Sequence, residues 1–259
     1  MKRIELSLVA ALGTLALFVG SESYRTTVFS HRTQLTSSGT LAPMSPTSAT
    51  VHRPSAAATA ELPLEVRRMS REDVRERLRE NEAGTYIGEV LLDRDSALAR
   101  WPDRVERPLR IWIGSGKGVA GWQTGFENEV RQAFNTWSTV GIPVGFELAP
   151  DSAHADVHVK WIDHFNEPIS GKTVWSRDDN WWIVDGDITI ALHHRDGDPL
   201  DAPQVRAIAL HEVGHLLGLD HTTDSSNIMA PRVRVRELSA ADQATVRLLY
   251  SVPAGKVSG

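Results

Sequence analysis

The sequence predicts an α+β fold, and three observations predict it. A short amphipathic strand leads into a helix with an aromatic stripe, several alternating strand-like runs follow, and the chain closes with two helices whose starts carry capping residues. In Leu109-Arg110-Ile111-Trp112-Ile113 the apolar Leu109, Ile111 and Ile113 share one face, as in a half-buried strand, and Gly114-Ser115-Gly116-Lys117-Gly118 ends it. That glycine-rich stretch lacks the full phosphate-cradle pattern and reads as a plain turn. Trp122, Phe126, Val130, Phe134 and Trp137 recur at steps of four, four, four and three, which predicts a helix with a wide core-facing stripe.

Residues 144–148 and 155–161 read as strands, the second alternating Val157, Val159 and Trp161 with His158 and Lys160. Residues 173–175 and 181–184 read as a further strand or hairpin, and residues 187–192 as another. Asp201-Ala202-Pro203 opens a helix, because aspartate caps free amides and proline suits the first turn. Val205, Ile208, Leu216 and Leu217 are expected to bury its far side. Ser239-Ala240-Ala241-Asp242 has the form of a capping box and opens the last helix, with Val246, Leu249 and Tyr250 facing inward.

Composition is uneven along the 259 residues. Met1-Lys2-Arg3 and the mostly apolar run from Ile4 to Gly20, broken by Glu5, have the form of a secretory signal. Its roughly 15 clean apolar residues fall short of the roughly 20 a membrane span needs, so residues 1–23 are expected to be a signal peptide, with an uncleaved anchor as the alternative. A secreted or extracytoplasmic location follows, with membrane contact only if the anchor is retained. Residues 24–63, rich in Ser, Thr, Ala and Pro, bury too little to offset ordering entropy and read as a flexible low-complexity linker.

Residues 64–100 form a distinct segment. Ser70-Arg71-Glu72-Asp73 resembles a capping box, and with Val74 and Leu78 four apart it predicts a short charged helix over roughly residues 71–80, ended by Gly84. Tyr86, Ile87, Val90, Leu91 and Leu92 then make an apolar patch expected to pack on the folded domain of residues 101–259. The net charge of −5 and the lack of any basic block give no reason to invoke nucleic acid. With no cysteine, no disulfide can form. A monomer is expected.

The chemistry concentrates in His211-Glu212-Val213-Gly214-His215-Leu216-Leu217-Gly218-Leu219-Asp220-His221. On a helix, residues four apart share a face, so His211 and His215 can aim at a single ion. Glu212, about 100° further round, can flank that ion without ligating it and take a proton from water beside it. If the helix continued, His221 would lie roughly 9 Å further along the axis at about 1.5 Å per residue. The chain must therefore stop and turn, and Gly218 permits this because glycine accepts the left-handed conformation. Three neutral imidazoles leave a fourth position open, as a catalytic rather than a structural zinc requires. A bare His-Glu-x-x-His also occurs by chance on surface helices; the extension to Gly218 and His221, with Met229 eight residues on, sets this one apart.

These residues resemble the metzincin zinc metalloproteases, and Ile228-Met229-Ala230-Pro231 resembles the matrixin branch. The resemblance implies a matrixin-like catalytic domain over roughly residues 101–253: a twisted, mostly parallel sheet with an antiparallel edge strand at the cleft, and three main helices. It implies that Met229 forms a turn beneath the zinc and that Pro231, Arg232, Val233, Arg234 and Val235 line the pocket for the side chain after the scissile bond. It also implies that residues 64–100 occupy the place of a propeptide. Matrixins are commonly held latent by a propeptide cysteine, and none is present. Asp93 or Asp95, as competent zinc ligands, are candidates to replace it.

The second zinc of many matrixins has no counterpart here, since His154, His158, His164, His193 and His194 lack its spacing. Asp178, Asp179, Asp185, Asp187, Asp196 and Asp198 could offer oxygen to Ca2+, but they follow no defined loop pattern, so its ligands stay unassigned. The reading is a secreted zinc endopeptidase acting on protein or peptide. The alternatives are a catalytically silent zinc-containing module that binds peptide, and a zinc hydrolase acting on a non-protein amide.

Overall fold

The computed structural model describes residues 69–258. The expected signal or anchor, the linker and the first residues of the 64–100 segment lie outside them. Ser70 caps helix α1 (Arg71–Glu80) reciprocally with Asp73, so the capping box and both predicted ends hold. Val74 and Leu78 are its buried positions. Helix α2 (Ile87–Asp93) carries no side-chain cap and was not signalled by the sequence, which showed only an apolar patch. Strand β1 (Ala97–Leu98) pairs antiparallel with β7 (Gly255–Lys256), joining this segment to the far end of the chain.

The main sheet holds β2 (Arg104–Ile113), β3 (Val144–Leu148), β4 (Val157–Ile162), β5 (Gly171–Arg177) and β6 (Ile183–Ala191), in the order β3-β2-β4-β6-β5. All neighbours run parallel except β5, which lies antiparallel to β6 at the edge. Helices α3 (Phe126–Ser138) and α4 (Ala202–Leu216) pack against each other, and α4 also lies against β5 and β6. Helix α5 (Ala240–Tyr250) opens at the expected capping box. Trp101 and Trp137 are fully buried and donate their indole N–H groups to the Leu216 and Leu210 carbonyls of α4. A buried indole needs such a partner.

Three expectations are corrected. The aromatic helix starts at Phe126, one turn later than the stripe suggested. Trp122 precedes it and meets Phe126 and Trp161 edge-on, with ring centroids 6.0 and 4.8 Å away. The two short runs at residues 181–184 and 187–192 are largely one strand, β6, running through Gly186. A Cβ at Gly186 would sit 2.6 Å from Leu216 Cδ1, so the glycine that looks like a strand break is where α4 closes on the sheet. Leu92, expected to pack on the folded domain with its neighbours, is exposed, whereas Tyr86, Ile87 and Val90 join the buried cluster of the sheet and α4 as expected and Leu91 packs against it.

Candidate metal centre

Helix α4 begins with Asp201, whose carboxylate accepts the Gln204 N–H while Gln204 answers the Asp201 N–H. His211 and His215 fall one turn apart on it, both buried. The helix then ends in a paired turn, Gly218 N–H to His215 O and Leu219 N–H to Gly214 O, with Gly218 at φ +96°. A Cβ on Gly218 would overlap the Ala99 carbonyl oxygen, so two constraints select glycine there. The turn brings His221 back to the helix.

The three Nε2 atoms converge: His215 lies 2.9 Å from His211 and 3.3 Å from His221. Two nitrogens bound to tetrahedral zinc at about 2.05 Å would lie about 3.3 Å apart. His211 donates its Nδ1–H to Ile228 O at 2.7 Å, and His215 donates its own to Leu219 O at 3.1 Å. Those bonds select the tautomer whose Nε2 carries a lone pair. Burial, with the His221 ring beside it, pushes the His211 imidazole down to about 3. Burial also pushes His215 well below its ordinary value, with His211 and His221 adding to it, and lowers His221. Three neutral lone pairs facing one another make a donor set that could hold a metal ion.

The ligand atoms of this cluster lie within 4.8 Å of one another, and Glu212 stands outside it. Its carboxylate is buried between α4 and the start of β5. Thr173 on β5 donates its hydroxyl to Glu212 Oε2 at 2.6 Å, while Oε1 has no hydrogen-bond partner among the described residues and lies against Gly171. Burial raises the Glu212 carboxyl to about 8 against the pull of the Thr173 hydrogen bond. Met229 is fully buried with its sulfur against Gly214, where a Cβ would overlap it. The Met229 carbonyl accepts the Thr222 N–H at 3.1 Å, tying the methionine turn to the His221 loop.

Of the five pocket candidates, Val233 is buried, Pro231, Arg232 and Val235 are half-buried, and Arg234 is exposed. Just beyond them Arg236, Glu237 and Leu238, with Arg206 and Leu210, line a cavity of about 230 Å³. Asp93 and Asp95 are exposed and neither joins the imidazole cluster, so the structure does not bring the proposed latency ligands to the site. Of the other described histidines, four pair with acids, His154 with Asp151, His158 with Asp187, and His164 and His193 both with Asp163, while His194 Nδ1 meets Ser170 Oγ at 3.1 Å.

Several residues of the site had no signal in the sequence. Thr173, Gly171 and Gly214 gain their roles only by what packs on them. Asp242 was legible as a capping residue, but its carboxylate also accepts the Ile228 N–H at 2.9 Å, next to the methionine turn.

The sheet order, the helix-borne histidine pair, the returning third histidine and the buried methionine together define a metzincin-like α+β domain. Within that class the chain is matrixin-like: residues 163–251 match the family model described as matrixin. Metalloendoproteinase 1-MMP of Arabidopsis thaliana is 32% identical over 141 residues, which cover 46% of this chain and 36% of that protein. Metalloendoproteinase 1 of Glycine max is 25% identical over 148 residues, 49% of this chain and 46% of its own. Matrix metalloproteinase-C of Caenorhabditis elegans is 24% identical over 156 residues, 50% of this chain and 25% of its own. The chain thus spans less than half the length of these relatives.

Proposed function

We propose that this chain is a secreted zinc endopeptidase that hydrolyses peptide bonds by activating water. The convergence of three neutral imidazole nitrogens beside a buried glutamate on one helix carries this reading. His211, His215 and His221 would hold the zinc, with the Ile228 and Leu219 carbonyls fixing the first two rings. Zinc, when bound, polarises a carbonyl and lowers the pKa of water to about 7. Glu212 would accept the proton of the attacking water and pass it to the leaving amine. Thr173 holds the carboxylate in place through Oε2, leaving Oε1 without a hydrogen-bond partner among the described residues.

Strand β5 ends the sheet, and its outer edge could pair with an extended peptide, so that backbone is read independently of side chains. That favours peptide over a small amide as substrate. Pro231, Arg232, Val233, Arg234 and Val235 would border the pocket for the side chain beyond the scissile bond. Export rests on the charged and apolar regions of residues 1–23. Among the described residues no helix is long and apolar enough to cross a membrane. No calcium site is assigned.

A silent zinc-containing binding module would have no need to bury a carboxylate beside the metal. Incubation of the purified chain with casein separates the readings. Cleavage should stop with a zinc chelator and return with added zinc. Glu212→Ala should lose a factor of about 10²–10⁴ in turnover, the scale of a general base, with zinc content unchanged. A zinc-loaded chain that leaves casein intact, or an active Glu212→Ala, would refute the peptidase assignment.

A further inference from the structure

Residues 86–94, part of the segment expected to act as a propeptide, reach the support of all three metal-site histidines. Arg94 donates Nη1–H to Gly218 O at 2.6 Å and Nη2–H to Leu219 O at 3.1 Å, and its Nε lies 2.9 Å from Asp220 Oδ2. One guanidinium thus engages three consecutive residues of the turn that returns His221. Leu219 O is also the acceptor of the His215 Nδ1–H, and Asp220 Oδ1 accepts the His221 N–H at 3.2 Å. Both members of the Arg94–Asp220 pair are buried. Arg94 further lies over the Trp175 ring of β5, 5.3 Å from its centroid.

Two more contacts complete the grip. Glu89 accepts the Thr222 hydroxyl at 2.9 Å and the Thr223 N–H at 2.7 Å, holding the chain immediately after His221. Tyr86 donates its hydroxyl to Asp242 Oδ1 at 3.0 Å, while Oδ2 of the same carboxylate holds Ile228 N–H, and Ile228 O orients His211. A rigid fork such as arginine fixes several carbonyls at once. Loss of a group that orients metal ligands typically costs about 10–100-fold in metal affinity or activity.

We propose that Tyr86, Glu89 and Arg94 are positioning residues for the zinc site, and that the segment carrying them stays in the working enzyme as a brace. This rests on the zinc-peptidase reading above. The segment packs against the ligand turn, and its removal would take the cation from Asp220 and the acceptor from the Thr222 hydroxyl and the Thr223 N–H. A leader that must leave for activity would not be built into the ligand support in this way.

The test compares the full chain with Arg94→Lys, Glu89→Ala and Tyr86→Phe. Arg75→Ala is the control, since Arg75 sits on the same segment but donates to Val257 O. Folding of each metal-free protein is checked by circular dichroism, and zinc affinity is read by competition with a chromogenic chelator. Arg94→Lys and Glu89→Ala should weaken zinc binding about 10–100-fold, Tyr86→Phe by a smaller factor, and Arg75→Ala not at all. A merely structural brace would lower the melting temperature and leave zinc affinity untouched. Parent-like affinity in folded Glu89→Ala and Tyr86→Phe overturns the inference even if Arg94→Lys fails to fold. So does an active protein whose mapped N-terminus lies beyond residue 94. A parent chain that binds no zinc overturns the underlying reading as well.

Discussion

Thr173 shows how a single hydroxyl can matter without leaving a trace in the sequence. Its partner Glu212 is 39 positions away, and threonine in an edge strand looks like any other β-branched surface residue. A donor to a carboxylate favours the charged form, so loss of the Thr173 hydroxyl should raise the Glu212 carboxyl in the metal-free and the metal-loaded protein alike. Thr173→Val is expected to lower kcat about tenfold, within the range of lost positioning hydrogen bonds, and to move the acidic limb of kcat/KM to higher pH. Thr173→Ser should restore both. A pH profile of peptide cleavage from 5 to 9 checks this, and an unmoved limb in Thr173→Val would refute the role. His211, Glu212, His215 and His221, by contrast, were legible at once. Their spacing is local, and helical periodicity converts it directly into geometry.

At the scale of elements, the capped helices were read correctly because caps are short-range chemistry: Ser70, Asp201 and Ser239 each accept an N–H three residues on. Helix α2 was missed because it has no cap and only seven residues. Strand β6 was divided because Gly186 looks like punctuation until the Leu216 side chain is placed against it. The end of α4 was read correctly from Gly218, and the structure adds a second reason for it. At φ +96° a side chain is already strained, and here it would also meet the Ala99 carbonyl oxygen. Gly218→Ala should therefore cost about 2 kcal/mol or more, beyond the roughly 1 kcal/mol of an ordinary left-handed substitution. Urea unfolding of the metal-free protein measures it, and a change under about 0.5 kcal/mol would remove both constraints.

For the whole molecule, burial of the site couples stability to pH in two opposing directions. His211 titrates near 3 in the folded state against 6.5 ordinarily, and His215 and His221 shift the same way. The unfolded chain therefore takes up protons that the fold refuses. Stability from these groups is complete above pH 6.5 and is lost as pH falls toward the folded values. Glu212 behaves oppositely: raised to about 8 from 4.5, its contribution is complete below 4.5 and is lost as pH rises toward 8. Three imidazoles outweigh one carboxyl below 6.5, so the metal-free protein should melt highest near that pH. Calorimetry of chelator-treated protein between pH 4 and 8 tests this, with Glu212→Gln expected to abolish the decline above 6.5. A midpoint that rises steadily through pH 8 in the parent would contradict it.

By itself the sequence determined the three imidazoles and their carboxylate, the stop at Gly218, the capped helices and the alternating strands. Each is written in residues a few positions apart, where backbone geometry turns spacing into direction. Only the tertiary structure decided which strand lies at the edge, that Thr173 holds Glu212, and that Tyr86, Glu89 and Arg94 grip the ligand turn. The last three act across 124 to 156 positions of chain. No local pattern encodes such a contact, because it exists only once the hydrophobic core has brought the two stretches together.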